Sequence, residues 1–214
     1  MKNVHILVGG PDSEVPDLMD YHDEQTIWIG VDRGAVRLME LGITPDYAVG
    51  DFDSISKAEL AYLKKAVKEV LLLKAEKDET DTELALDLAI QLNPTKIRIF
   101  GATGGRLDHL LANLWIVLRF NFLTAAEKIS LYDRQNSLHY FLPGHHEIQK
   151  EADKKYLAFV GLTAVKKLSL YDEKYQLDQV DFPYPISLAS NEFIGETASF
   201  SFDEGIIAVI QSKD

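Results

Sequence analysis

Cysteine is absent from the 214 residues, which excludes disulfides, thiolate zinc sites and a cysteine nucleophile, and is compatible with a reducing compartment. Positive charge is scarce as well. Against 34 Asp and Glu stand only 22 Lys and Arg, a formal net charge of −12, whereas nucleic-acid and anionic-membrane binding need clustered Lys and Arg to neutralise phosphates. No nucleic-acid partner is therefore expected. An acidic protein that handles a phosphate needs a metal, and the same field favours a cationic small molecule. Long hydrophobic runs are also lacking: residues 4–8 are too few for a signal peptide and lead straight into Pro11-Asp12-Ser13-Glu14, and no other stretch could span a bilayer. A soluble, cytoplasmic protein without a membrane partner is the expectation. Two nucleotide signatures are missing too. There is no G-x-x-x-x-G-K-[ST] run, which excludes a standard P-loop, and no G-x-G-x-x-G, which argues against a dinucleotide.

What is present is an apolar fraction of 46%, enough for a sizeable core in one large or two small domains. In the first half, short β-branched runs at residues 4–8, 27–31, 47–49, 70–73 and 97–100 read as strands. Helical patterns lie between them. Ser56-Lys57-Ala58-Glu59 is a capping box opening a helix to about Lys68, and Thr80-Asp81-Thr82-Glu83 is a second, opening a helix that ends near Asn93-Pro94. Residues 107–122 form a further, strongly apolar helix. This alternation predicts an α/β domain with a mostly parallel sheet covered by helices on both faces. After Tyr132 the helical period disappears, and runs at 156–160, 165–171, 198–202 and 206–210 read as antiparallel strands. The last two are expected to close as a hairpin across Asp203-Glu204-Gly205. The chain thus divides into an α/β domain at 1–134 and a small β-sandwich or barrel at 135–214.

The chemistry gathers where strands end, since ligands of open α/β sheets bind outside the carboxyl ends of the strands. Gly50-Asp51-Phe52-Asp53-Ser54 follows the third strand, and in an extended segment residues i and i+2 point the same way, so Asp51 and Asp53 can present two carboxylates to one point. Hard carboxylate oxygens suit magnesium or manganese. Asp32-Arg33-Gly34 follows the second strand, Lys77-Asp78-Glu79-Thr80-Asp81 the fourth, and Gly101-Ala102-Thr103-Gly104-Gly105-Arg106-Leu107-Asp108-His109 the fifth. The competing reading of Asp32, Thr80 and Asp81 is that they merely cap or complement the starts of helices. Lys77 beside carboxylates reads as a phosphate contact. Gly104 and Gly105 have the composition of a backbone nest for phosphate oxygens, with Arg106 as a planar fork. His109 sits at a helix start, and His5, His22, His139, His145 and His146 read as structural. Trp28 and Trp115 fall in apolar patterns and are assigned to the core.

In this order and spacing, Asp32-Arg33-Gly34-Ala35, Pro45-Asp46 leading into Gly50-Asp51-Phe52-Asp53-Ser54, Lys77-Asp78-Glu79-Thr80-Asp81 and Gly104-Gly105-Arg106-Leu107-Asp108-His109 resemble the thiamine pyrophosphokinases, and Ser190-Asn191-Glu192-Phe193 resembles the bacterial members' segment before the last hairpin. The resemblance implies transfer of a pyrophosphoryl group from ATP to the hydroxyl of thiamine, with Mg2+ required. It further implies an N-terminal ATP-binding catalytic domain, a C-terminal thiamine-binding and dimerisation sandwich, and a homodimer. Carried over, Asp51, Asp53 and Asp81 are catalytic and, with Asp78, metal-binding; Asp53 or Asp81 orients the attacking hydroxyl. Asp32, Lys77, Thr80, Thr82, Gly104, Gly105, Arg106, Asp108 and His109 bind ATP or shape its pocket, and Ser190 and Asn191 bind thiamine. Where eukaryotic members place a tryptophan before the asparagine, this chain has Ser190, so the thiamine-stacking contact differs or comes from elsewhere. Other readings of the D-x-D are an aspartate-nucleophile phosphatase, a sugar-nucleotide glycosyltransferase and a metal-dependent small-molecule binding protein. The phosphatase pair sits near the start of its domain, unlike this one.

Overall fold

The computed structural model describes residues 2–74 and 78–214, in two compact units, 1–134 and 135–214. Strands β1 (Asn3–Leu7), β2 (Ile27–Val31), β3 (Tyr47–Gly50), β4 (Glu69–Leu72), β5 (Lys96–Phe100) and β6 (Ile129–Tyr132) of the first unit pair in parallel in the order β6-β5-β1-β2-β3-β4. Helices α1 (Arg33–Glu40), α2 (Lys57–Ala66), α3 (Asp81–Gln91) and α4 (Leu107–Leu114) connect or flank them. Alternation sends Leu7, Trp28 and Phe100 to one face, where they pack with Leu38 of α1. There Gly30 is required by close approach, since a Cβ on it would lie 2.3 Å from Ala35 Cα. The other face, of Val4, Ile6, Ile29, Val49, Ile97 and Ile99, is also buried, and α3 lies against β1, β2 and β3. The parallel sheet with helices expected from the alternation is therefore present.

Both capping boxes form as expected. Ser56 Oγ accepts from the Glu59 amide at 3.2 Å, Thr80 Oγ1 from the Glu83 amide at 3.2 Å, and each Glu returns a carboxylate to the N-cap amide. The long apolar helix does not. It stops at Leu114, continues as a 3-10 turn at Ile116–Leu118 and restarts as α5 (Phe120–Leu123). Arg119 adopts an extended conformation between the pieces, its Nε 2.7 Å from Glu83 Oε1. Pairing that buried carboxylate outweighs the helical pattern. Trp28 is core, its indole N–H donating to His22 Nδ1 at 3.0 Å. Trp115, assigned to the core by its apolar surroundings, is 48% exposed; with Leu107, Leu111 and the 95% exposed Phe120 it leaves an apolar strip uncovered. Among the described residues no helix is long and apolar enough to cross a membrane.

The second unit is a sandwich of antiparallel sheets. Its strands are β7 (Asn136–Phe141), β8 (Gly144–Gln149), β9 (Tyr156–Gly161), β10 (Val165–Leu170), β11 (Leu177–Phe182), β12 (Ile186–Glu192), β13 (Thr197–Phe202) and β14 (Ile207–Ser212). One sheet runs β12-β9-β14-β7 and the other β11-β10-β13-β8. Leu157 and Phe159 with Ile207 and Val209 from the first meet Leu168, Leu170, Phe200 and Phe202 from the second. The expected hairpin between β13 and β14 is not one, because the two strands belong to different sheets. Their apolar faces close on one another across the core, and the turn is tied elsewhere: Lys166 N–H donates to Glu204 O at 3.1 Å and Asp203 N–H to Lys166 O at 2.9 Å. Glu173, in the β10–β11 connection, is wholly buried. Its Oε2 accepts from the Asp172 amide at 3.2 Å, while its Oε1 has no partner. Burial, reinforced by the Asp172 charge, pushes its pKa up to about 7.

Candidate active site

From β1 the sheet grows one way through β2, β3 and β4, and then the chain returns to β1's other side for β5 and β6. The loops after β1 and β5 diverge at that reversal, which is where open α/β sheets take their ligands. A cavity of 710 Å³ lies there, lined by Gly9 and Gly10 after β1, Asp32 after β2, Asp53 after β3, Thr80, Asp81 and Thr82 at the start of α3, and Thr103, Gly105, Arg106 and His109 after β5.

Asp32 ties two of these strand ends together. Its backbone sits at φ 48°, its N–H donates to Val49 O at 3.0 Å, and its Oδ1 accepts from the Phe52 amide at 3.1 Å. Gly50, at φ 148°, must be glycine: a Cβ there would lie 1.8 Å from Asp32 Oδ1. Burial pushes the Asp32 pKa up to about 6. The Phe52 amide opposes the rise, and the charges of Asp81, Asp51 and Asp53 add to it. Four carboxylates from three strand ends thus share one field.

Asp51 and Asp53 do not share a side through strand alternation, as the D-x-D spacing predicts. The strand stops at Gly50, Phe52 turns into the left-handed region at φ 59°, and the Asp53 amide donates to Asp51 Oδ1 at 3.0 Å. Phe52 decides this. It is buried with Ala35, Val36, Ala48, Leu63 and Val67, and anchoring it forces the chain to turn about it. Asp53 lines the cavity; Asp51 is not among the lining residues, although its charge acts on Asp32, which is.

Asp78 is exposed and not part of the lining, and Lys77 lies outside the described residues. Gly104 is left-handed, at φ 78°. The exposed Arg106 guanidinium donates to Asp108 through Nε at 3.1 Å and Nη2 at 2.5 Å, and so holds that carboxyl down to about 2. Asp108 also accepts from the His109 amide at 3.0 Å. In the second unit Ser190 sits at φ 63°, where the β12–β9 register shifts. Asn191 is buried, its amide accepting from the Tyr175 and Glu192 N–H groups and donating to Tyr175 O, each at 2.9 Å.

Several lining or supporting residues escape sequence reasoning. Gly9-Gly10 had a signal, two glycines after an apolar strand, of the kind that marked the β5 loop. Asn113 had none: it lies inside an apolar helix, and only the fold shows it buried and donating to Ala102 O at 3.0 Å. Asp133, after β6, accepts from Thr103 Oγ1 at 2.6 Å and braces the same loop. Among the described residues, no three His, Asp or Glu side chains are already gathered as a metal cage. The oxygen-only set around Asp32 nevertheless fits a hard divalent cation shared with a ligand's phosphates, because magnesium is usually held by one or two carboxylates with water and phosphate completing its shell.

Fold and pocket together define a class: a parallel α/β domain with an acidic ligand crevice at its topological switch, followed by an antiparallel sandwich. Comparison with known proteins makes this specific. Residues 18–131 match the family model described as "Thiamin pyrophosphokinase, catalytic domain", and residues 145–207 the one described as "Thiamin pyrophosphokinase, vitamin B1 binding domain". The chain is 43% identical to the thiamine pyrophosphokinase of Bacillus subtilis, over all of both chains. It is similar in structure to a thiamin pyrophosphokinase family protein of Enterococcus faecalis, with a TM-score of 0.94 at 47% identity over 99% of each chain. The yeast thiamin pyrophosphokinase shares the fold, with a TM-score of 0.74 at 16% identity over 99% of this chain and 86% of that one. The chain belongs to the thiamine pyrophosphokinase family.

Proposed function

We infer that this protein is a thiamine pyrophosphokinase: the thiamine hydroxyl oxygen bonds to the β-phosphorus of ATP, the bond from that phosphorus to the α–β bridging oxygen breaks, and AMP leaves. The observation that carries the reading to this pocket is that Asp32, Asp53 and Asp81 line one glycine-walled crevice, with the charge of Asp51 acting on the same group. Transfer of this kind needs positioning and charge neutralisation more than covalent chemistry. Asp51, Asp53 and Asp81 would hold magnesium, which when bound neutralises charge on the phosphoryl oxygens, and Asp78, outside the cavity lining, would assist them as a further acid. Asp53 or Asp81 orients the thiamine hydroxyl and takes its proton. Thr80, Thr82, the Gly104 and Gly105 amides, Arg106, His109 and Lys77 hold the triphosphate. To do so, Arg106 turns its fork from Asp108 to phosphate, an exchange that two exposed groups make at little cost.

Asp32 and Asp108 shape the nucleotide pocket, while Ser190 and Asn191 contribute to thiamine recognition, Asn191 by fixing the 173–175 loop. The acidic field suits thiamine, whose thiazolium is a cation. The enzyme works in the cytoplasm, where ATP is supplied, as a homodimer; the uncovered strip of Leu107, Leu111, Trp115 and Phe120 is of the kind that marks a subunit contact. An aspartate-nucleophile phosphatase is not favoured, because the acidic pair follows the third strand. The test is incubation with ATP, magnesium and thiamine. AMP release that depends on thiamine supports the reading; an aspartyl-phosphate intermediate, or no AMP under any divalent metal, refutes it.

A further inference from the structure

Two glycine loops close the switch point, and in the one after β1 Gly9 and Gly10 have no side chain of their own to fix their backbone. Gly9 lines the cavity, and a Cβ built on it meets nothing within 4 Å. The wall is bare backbone at that point. Gly10 is pressed against the β5 loop: its N–H donates to Gly101 O at 3.0 Å, and a Cβ on it would lie 2.1 Å from that oxygen. From the other side comes Arg37, on the last turn of α1. Its guanidinium donates through Nη1 to the Gly10 carbonyl, and its Nε lies 2.7 Å from Asp12 Oδ1. One fork therefore grips the chain on both sides of Pro11. The arm behind it is stiff, because α1 is seated on the sheet where Ala35 meets Gly30.

We propose that Arg37 is a positioning residue for the nucleotide, fixing the Gly9-Gly10 backbone at the height against which ATP packs. This rests on the reading that the crevice takes ATP. The planar fork is essential, since a lysine offers one point charge and cannot hold a carbonyl and a carboxylate in fixed relation. Asp12 acts only through Arg37, so the two are one device.

The experiment compares wild type, Arg37→Lys, Asp12→Asn and the double variant, with ATP and thiamine varied separately, ATP binding measured without thiamine, and melting temperatures recorded. In Arg37→Lys we expect the KM for ATP and its Kd to rise together by about tenfold, with kcat and the KM for thiamine within about twofold of wild type. The double variant should be no worse than Arg37→Lys, as expected of coupled partners. An unchanged ATP KM, additive effects in the double variant, or a parallel loss of both KM values and of melting temperature would overturn the positioning role. A wild-type protein that binds ATP and forms AMP while Arg37→Lys behaves identically refutes this proposal alone; one that forms no AMP refutes the ATP reading beneath it.

Discussion

Asp51 and Glu173 are both acids whose surroundings matter more than their identity. Asp51 is one of four carboxylates whose charges act on one another around Asp32. Asp51→Asn keeps the side-chain oxygen that caps the Asp53 amide, so it should fold normally and lose several kcal/mol of transition-state stabilisation, on the order of a thousandfold in kcat. Thiamine-dependent AMP release alongside circular dichroism checks this, and near-normal turnover would remove Asp51 from the site. Glu173 bears on stability instead. Its pKa rises from 4.5 unfolded to about 7 folded, so the native state holds the extra proton. The stability this brings is complete below the unfolded value and is lost as pH rises through the folded one. Between about pH 5 and about pH 8 the melting temperature of wild type should fall more steeply than that of Glu173→Gln; coincident slopes would show that Glu173 does not titrate there. At this scale the residue types of the site were legible, because acids and glycines recur after successive strands. Their geometry was not. It turns on the burial of Phe52, whose partners Leu63 and Val67 lie on another element.

Elements are fixed by what presses on them. Gly30 is where α1 meets β2, and Gly30→Ala should destabilise the protein by roughly 1–3 kcal/mol through overpacking, measurable as a lower urea midpoint. Because Asp32 lies two residues on, ATP affinity should fall with it; a neutral variant would mean that α1 has room to shift. Helices α2 and α3 could be read from sequence because their capping boxes are local. The break after Leu114 could not, since its cause is Glu83, on a helix more than thirty residues earlier. The same holds for the turn at residues 203–205, whose spacing looks like a hairpin. Which sheet receives β14 depends on where Phe200 and Val209 find their apolar partners, a question distant residues answer.

For the whole molecule, the α/β alternation made the first unit readable, whereas the second showed only that it was β-rich. Parallel order follows from connections that carry helices; antiparallel order in a sandwich follows from contacts with no local signature. The uncovered strip of Leu107, Leu111, Trp115 and Phe120, which runs from α4 to α5, makes a claim at this scale. Sedimentation should give twice the 24.1 kDa of one chain, and Leu111→Glu should shift it to the single-chain mass; an unaltered dimer in that variant would place the contact elsewhere.

The position of β14 has a consequence for how the protein is made. In the order β12-β9-β14-β7 it is an interior strand, with β9 and β7 on either side, although it is translated after every other strand of that sheet. Until it leaves the ribosome, β7 and β9 have no partner between them and expose edges and apolar faces that invite association. The first unit has all its strands by Tyr132 and can condense during synthesis. The sandwich must wait for residues 207–212, so its two sheets can close on one another only after β14 has been made.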